Sequence, residues 1–382
     1  MHIAITAGLL ADQLTWISRT LPARPAVPVL AGIRLEAGND RVHLTATDYD
    51  IWSHATVEAD TQGTPTTVVV PGRLLASLAG RLPAGHTVVL TLDADQVRLQ
   101  CGPTRATVRT LPAEDYPTPP RPPATVGQVE ASVLAAATAQ VASAASTDHA
   151  LPMLTGVHTV LGKGGIVLSA TDRYRLAQQT VPWEPTLEHH QQEEAERALL
   201  VPAATLTQAA RAMTGTVTLG LDQDEVLSLS DGTRTLLTRL LDGSFPNANA
   251  FRDKVVQRAA LEVGVDTTAL ADAVDRVALF AARNTPVRLE VTDHALVVRA
   301  GDDGDAGAEE VPADVAGEPG WRLSFNPDLL CQTLAGARAE QVLLKVVHEH
   351  EMVLLAPDHD GDPGWQILMP IRQPATSTAV AA

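Results

Sequence analysis

The densest group of chemistry-bearing side chains in this sequence is Asp172-Arg173-Tyr174-Arg175, which sets one carboxylate, two guanidiniums and one phenol side by side. Such a group has two physical uses. It can close on itself as a solvated turn with a local Asp–Arg pair. It can also stand around a groove that receives a partner, with the arginines offering charged donors to carboxylates or carbonyls. A second candidate is histidine. His348 and His350 alternate, which places both on one face of a strand, with His359 nearby. Three imidazoles could hold zinc; the plainer reading is polar positions on a solvent-facing strand. His189 and His190, among Glu184, Glu188, Glu193, Glu194 and Glu196, read more simply as a solvated charged loop than as a metal site. There is no Gly-rich phosphate loop, no His-Glu-x-x-His, no Cys-x-x-Cys and no Gly-x-Ser-x-Gly elbow. No catalytic residue, metal or cofactor is therefore expected.

The elements that must position the Asp172 corner are legible around it. Ile166-Val167-Leu168 before it and Leu176-Ala177 after it read as two half-buried strands. A simpler copy, Val42-His43-Leu44-Thr45-Ala46-Thr47-Asp48-Tyr49-Asp50-Ile51, lies 124 positions upstream. Pro28-Val29-Leu30-Ala31-Gly32 matches Pro152-Met153-Leu154-Thr155-Gly156 at the same offset. A second signature, Val70-Pro71-Gly72-Arg73-Leu74-Leu75, recurs at Val201-Pro202 and, more loosely, at Phe325-Asn326-Pro327. A period this long marks repeated domains rather than stacked solenoid layers. A residue repeated in separate domains suits a turn better than catalysis, so Asp48 and Asp172 are expected to accept backbone N–H bonds at a corner.

The chain has 382 residues, enough for three domains of ordinary size. Aromatic residues are scarce, so the cores should be aliphatic. A net charge of −17 speaks against general affinity for nucleic acid or anionic membranes, though not against a local basic surface. Cys101 and Cys331 fall in different repeats; no disulfide framework is indicated, and a reduced cytoplasmic location is expected. Met1-His2-Ile3-Ala4-Ile5 carries no secretory signature, and Ala131 to Thr147 is too polar to span a bilayer.

In chain order, Leu10, Leu14, Ile17 and Leu21 mark one face of a helix over 8–21. Pro71 should open a second helix as its first residue, with Leu74, Leu75, Leu78 and Leu82 facing the core. Strands follow to Thr110, and the prolines between Pro117 and Pro123 form a stiff linker. Further helices are expected over 130–146 and 266–283. Asp302 to Asp305 should form a mobile acidic loop, and Gln373 to Ala382 a disordered tail. The domain bounds read as 1–119, 126–250 and 254–372, with 373–382 as tail. The class is α+β, with two helices packed on antiparallel sheets in each repeat.

Four motifs now stand in order: Pro-x-Leu-x-Gly near Pro28, Ala170-Thr171-Asp172-Arg173-Tyr174-Arg175-Leu176-Ala177, Leu241-Asp242-Gly243-Ser244-Phe245-Pro246, and Met369-Pro370-Ile371-Arg372. Together they resemble the bacterial DNA polymerase III beta subunit, the sliding-clamp family, over residues 1 to 372. The resemblance implies three DNA-clamp domains, a head-to-tail homodimer and hence a six-domain ring that encircles duplex DNA without reading its sequence. It implies a non-catalytic processivity factor that tethers polymerases, the clamp loader and other clamp-motif proteins. Their peptides would enter a groove at Leu154, Thr171, Arg173, Tyr174, Arg175, Leu176, Pro246, Met369, Pro370, Ile371 and Arg372. DNA would be faced by Arg19, Arg24, Arg73, Arg81, Arg211, Arg276 and Arg338, and the ring joint would involve Ala106, Val108, Ala278 and Leu279.

Departures from the family pattern are also visible. The predicted inner helices carry Arg19, Arg73, Arg81, Arg211, Arg276, Arg283 and Arg338, with Arg24 in the loop after the first, but also Asp12, Glu130, Asp266, Asp272, Asp275, Asp328 and Glu340. Helix 130–146 has no Lys or Arg, and the loop 147–151 lacks the expected basic and aromatic residues. Asn247-Ala248-Asn249-Ala250 follows Phe245-Pro246 where an aromatic and a basic residue are usual. Ala106 and Val108 are small for a joint. The alternative reading is therefore a divergent clamp-like interaction scaffold with weak or no DNA encirclement.

Overall fold

The computed structural model describes residues 1–186, 196–222, 226–282, 285–301, 304–358 and 364–372. The predicted roles of Glu188, His189, His190, Glu193, Glu194, Arg283, Asp302, Asp303, His359 and the tail from Gln373 lie outside the described residues. Among the described residues the α-helices are α1 (Ala7–Ile17), α2 (Gly72–Ala79), α3 (Ala131–Ala142), α4 (Ala203–Ala212), α5 (Ala248–Arg258), α6 (Thr267–Ala278) and α7 (Pro327–Ala337). Among the described residues every strand pairing is antiparallel, in line with the α+β reading.

Contacts divide the chain into two compact units, Met1–Ser132 with Trp183–Glu194 and Gln208–Leu240, and Val133–Pro182 with Ala195–Thr207 and Leu241–Ala382. The middle repeat is shared between them, and the reason is backbone pairing. In the first unit, Arg234–Arg239 pairs with Ile51–Glu58, so strands of the first and middle repeats join in one nine-stranded sheet. In the second unit, Arg175–Val181 pairs with Trp365–Leu368, and strands of the middle and last repeats join in a twelve-stranded sheet. Each unit therefore contains one seam at which two repeats share a hydrogen-bond ladder.

The helix starts follow from local chemistry. The Asp266 side chain accepts from the Ala269 N–H at 2.7 Å and caps α6. Asn326 does the same for α7 through Leu329 N–H, and Pro327 takes the first helical position. Leu270, Val274 and Val277 of α6 and Leu330 and Leu334 of α7 are buried with Phe325, Val263 and Leu344 in an aliphatic core. Loss of Leu334 to Ala would cost about 3 kcal/mol.

Three local expectations are corrected. Pro71 closes the strand Thr66–Pro71 and stands as the residue before α2 rather than within it. Leu74 faces outward, 56% exposed, because Leu75 and Ala79 define the buried stripe of so short a helix. His348 and His350 do not alternate on a strand. The strand Gln341–Val346 ends before them, and they occupy the following turn with ring centroids 5.7 Å apart. Among the described residues no group of three metal ligands gathers. The helix α5 was not anticipated. Asn247 supplies its signal: the side chain accepts from Ala250 N–H at 3.2 Å, so the stretch that departs from the family pattern is a capped helix start.

Candidate functional site

The Asp172 corner is built from its own backbone. The carboxylate Oδ1 accepts from Tyr174 N–H and Arg175 N–H, each at 2.9 Å, and Thr171 Oγ1 accepts from Arg173 N–H at 3.2 Å. Arg173 takes a left-handed conformation, φ 79°. The same geometry recurs twice. Asp48 Oδ1 accepts from Asp50 and Ile51 N–H at 3.1 and 2.7 Å, with Tyr49 at φ 83°. Asp231 Oδ1 accepts from Thr233 and Arg234 N–H at 2.9 and 2.7 Å, with Gly232 at φ 88°. The turn role expected of Asp48 and Asp172 is what their carboxylates perform. The copy at Asp231 escaped the sequence comparison because only the Asp-x-x-Arg spacing survives there.

Two of these corners end in an arginine that clasps a seam. Arg175 donates from Nε to Asp172 Oδ2 at 3.0 Å, from a terminal nitrogen to Gln332 Oε1 of α7 at 2.6 Å, and to the Ser143 carbonyl just past α3. Arg234 donates to Gln13 Oε1 at 2.9 Å, to Asp12, and to the Ala212 carbonyl that ends α4, and its guanidinium lies 5.6 Å from the Trp16 ring centroid. A cation on a helix's last carbonyl complements the unpaired acceptors and the dipole there.

Beside the Asp172 corner opens a groove of about 210 Å³. Leu154, Thr171, Arg173, Tyr174, Arg175, Leu176, Pro246 and Met369 line it, together with Phe251, Ile367 and Met352. The Met369 N–H donates to the Tyr174 carbonyl at 2.8 Å, which fixes the two walls against each other. Pro370, Ile371 and Arg372, expected in the groove, do not line it. Ile371 N–H donates to the Ser324 carbonyl at 2.7 Å, which draws the chain off along another strand after Met369. Phe251 comes from the unanticipated helix α5, and Met352 from the turn before Val353–Pro357; Asn247 as an N-cap was the signal that could have found the first. The walls are apolar and, in Met352 and Met369, flexible, and so suit an apolar side chain of a docked segment better than any bond-making step.

The other expected residues fall as follows. Arg19, Arg24, Arg73, Arg81, Arg211 and Arg338 are exposed. Arg73 donates to the Leu21 carbonyl at 2.8 Å and Arg81 to the Ser77 carbonyl at 2.7 Å. Arg276 is engaged by Glu309 through two bonds of 3.0 and 2.6 Å, a pairing that raises the pKa of the guanidinium and lowers that of the carboxyl. Several of the acids counted against a basic face have local duties: Glu130 accepts from Ser132 N–H at the start of α3, Asp266 caps α6, and Asp12 receives Arg234. Val108 is buried within its sheet and Ala106 half-buried, whereas Leu279, after α6, is 84% exposed. Phe280 beside it covers Gly307, where any Cβ would collide with the ring.

Comparison with known proteins matches the chain to three family domains in order. They are the N-terminal domain of the DNA polymerase III beta subunit over residues 1–120, the central domain over 128–247, and the C-terminal domain over 257–372. A protein named beta sliding clamp from Streptomyces coelicolor is 35% identical, the match covering 97% of this chain and 99% of that one. One named beta sliding clamp homolog GriR, from Streptomyces muensis, is 33% identical over 89% of both. The crystal structure of the DNA polymerase III beta subunit from Thermotoga maritima aligns with a TM-score of 0.85 at 25% identity, over 98% of this chain and all of that one. Motifs, repeats, fold and relatives converge, and the chain belongs to the DNA polymerase III beta subunit family.

Proposed function

We propose that this protein is a DNA sliding clamp. It encircles duplex DNA without reading its sequence and tethers polymerases and the clamp loader through the groove beside Asp172. The observation that carries this reading is the near full-length match to a relative named beta sliding clamp. The clamp domains are 1–119, 126–250 and 254–372, with a tail from 373. The protein acts as a homodimer joined head to tail, with Ala106 and Val108 of one copy against Ala278 and Leu279 of the other. It does no covalent chemistry; its work is to raise the local concentration of a tethered enzyme at DNA. A cytoplasmic setting accords with two free cysteines and, among the described residues, no helix long and apolar enough to cross a membrane.

A ring holds DNA by topology, so phosphate contacts need only be weak. The exposed Arg19, Arg24 and Arg211, with Arg73 and Arg81, are the cations we assign to that role. Arg276 and Arg338 complete the set, Arg276 the more weakly because Glu309 already neutralises it. Few free cations predict a shallow dependence of DNA affinity on salt.

The test is loading onto nicked circular DNA with the cognate loader and polymerase, followed by linearisation. Retention on the circle and release on linearisation is the expected result. Failure to be retained, with dimer and peptide binding intact, would instead favour the interaction scaffold.

A further inference from the structure

The two arginines of the groove are differently employed. Arg175 is committed to Asp172, Gln332 and the Ser143 carbonyl. Arg173 is exposed, and among the described residues no hydrogen bond or ion pair engages its guanidinium; Thr171 holds only its backbone N–H. Its left-handed backbone is one that residues with a Cβ adopt at a cost. The corner at Asp231 makes the same pair of Asp-to-backbone bonds with Gly232 at this place. The turn thus needs a left-handed residue and nothing more, and it gives no reason for an arginine. The groove does. Its other walls are largely apolar and, among the lining residues, none is a carboxylate. In a chain of net charge −17, an uncommitted cation over an apolar groove is a local inversion of the overall sign.

We propose that Arg173 is a specificity determinant of the groove and selects partner segments that carry a carboxylate beside their apolar anchor. The proposal rests on the groove being the partner site. A guanidinium offers a carboxylate two parallel donors, and the neighbouring apolar wall strengthens that pairing relative to bulk water. Because the side chain is exposed, the gain is modest and sensitive to salt.

The experiment is a selection of displayed random heptapeptides on the full-length protein. The best binder and its acid-to-amide counterpart are then titrated by fluorescence anisotropy against wild type, R173G and R173Q. Acidic residues should be enriched beside the apolar anchor. The acid-to-amide exchange should weaken binding to wild type roughly threefold to fivefold at low salt. That gap should close in both variants and at high salt, while the melting temperature of R173G is no lower than that of wild type. An equal gap in wild type and R173G, or selected peptides without acidic enrichment, overturns the role of Arg173 and leaves the groove standing. Binders that are unaffected by Met369→Arg, or no binders at all, overturn the groove as partner site and this proposal with it.

Discussion

The two seams of this molecule are built alike and finished differently. Each joins neighbouring repeats through an antiparallel ladder, and each is clasped by an Asp-x-x-Arg corner whose arginine seizes a carbonyl at or just past a helix C-terminus and a glutamine. At the first seam, Trp52 stands opposite Leu237 and is packed with Val29, Val69 and Tyr116 in a closed apolar cluster. At the second, Leu176 stands at the place of Trp52, opposite Ile367, and the space beside it is the open groove. Thr45 and His54 make a side-chain hydrogen bond at the first seam, and Ser169 and Gln178 make its counterpart at the second. The ladder and the clasp thus serve assembly of the chain in both places. An open groove lies beside Leu176 at the second seam, where Trp52 stands at the first.

That comparison can be broken experimentally. Trp52→Ala should cost about 3–4 kcal/mol, because it empties a filled seam. Denaturant unfolding measures it, and a loss under about 1 kcal/mol would mean that Trp52 does not close that seam. Next in size are the clasps. Arg234→Ala should cost about 2–3 kcal/mol and exceed Arg175→Ala by about 0.5–1 kcal/mol, since only Arg234 also lies over an indole ring. Equal losses would remove the ring contact from the account.

The third test uses pH. Burial, with Arg34 and His43 nearby, holds the His54 pKa down at about 4, against the ordinary 6.5. The fold therefore favours neutral imidazole. Its contribution is complete above pH 6.5 and is lost as pH falls from there through 4, a decline of about 3 kcal/mol. Replacing His54 by the residue of the other seam, His54→Gln, should flatten that part of the stability curve; an unchanged acid slope would assign the loss elsewhere. The smallest stability effect is expected of Leu176→Trp, which fills existing space at a cost under about 1.5 kcal/mol. This variant should nonetheless abolish peptide binding. Tight binding by a folded Leu176→Trp protein would show that the groove is not the site.

How much of this was legible in the sequence depended on what each residue answers to. Asp48 and Asp172 were readable as corners because a turn is made by a local side chain and its own backbone. Strand cores were readable from aliphatic runs. Asp231 was not, because Gly232 and Thr233 keep the corner's geometry and none of its neighbouring letters. The helix after Pro246 was hidden behind an expected motif, although Asn247 is an ordinary N-cap residue. Phe251 and Met352 could not be found by spacing, since they reach the groove from elements distant in sequence. Arg276 reads in the sequence as a DNA-facing cation because its partner, Glu309, lies on a strand 33 residues away. For the same reason Pro370 to Arg372 were placed in the groove: the pull of Ser324 on Ile371 is not written in any local pattern.

The seam ladders also bear on how the chain is made. The strand Arg175–Val181 leaves the ribosome long before Trp365–Leu368, its partner, has been synthesised. For tens of seconds at ordinary translation rates it presents an unpaired edge with Leu176 uncovered, a template for unwanted pairing between nascent chains. The strand Ile51–Glu58 waits in the same way for Arg234–Arg239. Crowded polysomes translating this message should therefore depend on a holding chaperone, and the dependence should end only when the last strand emerges.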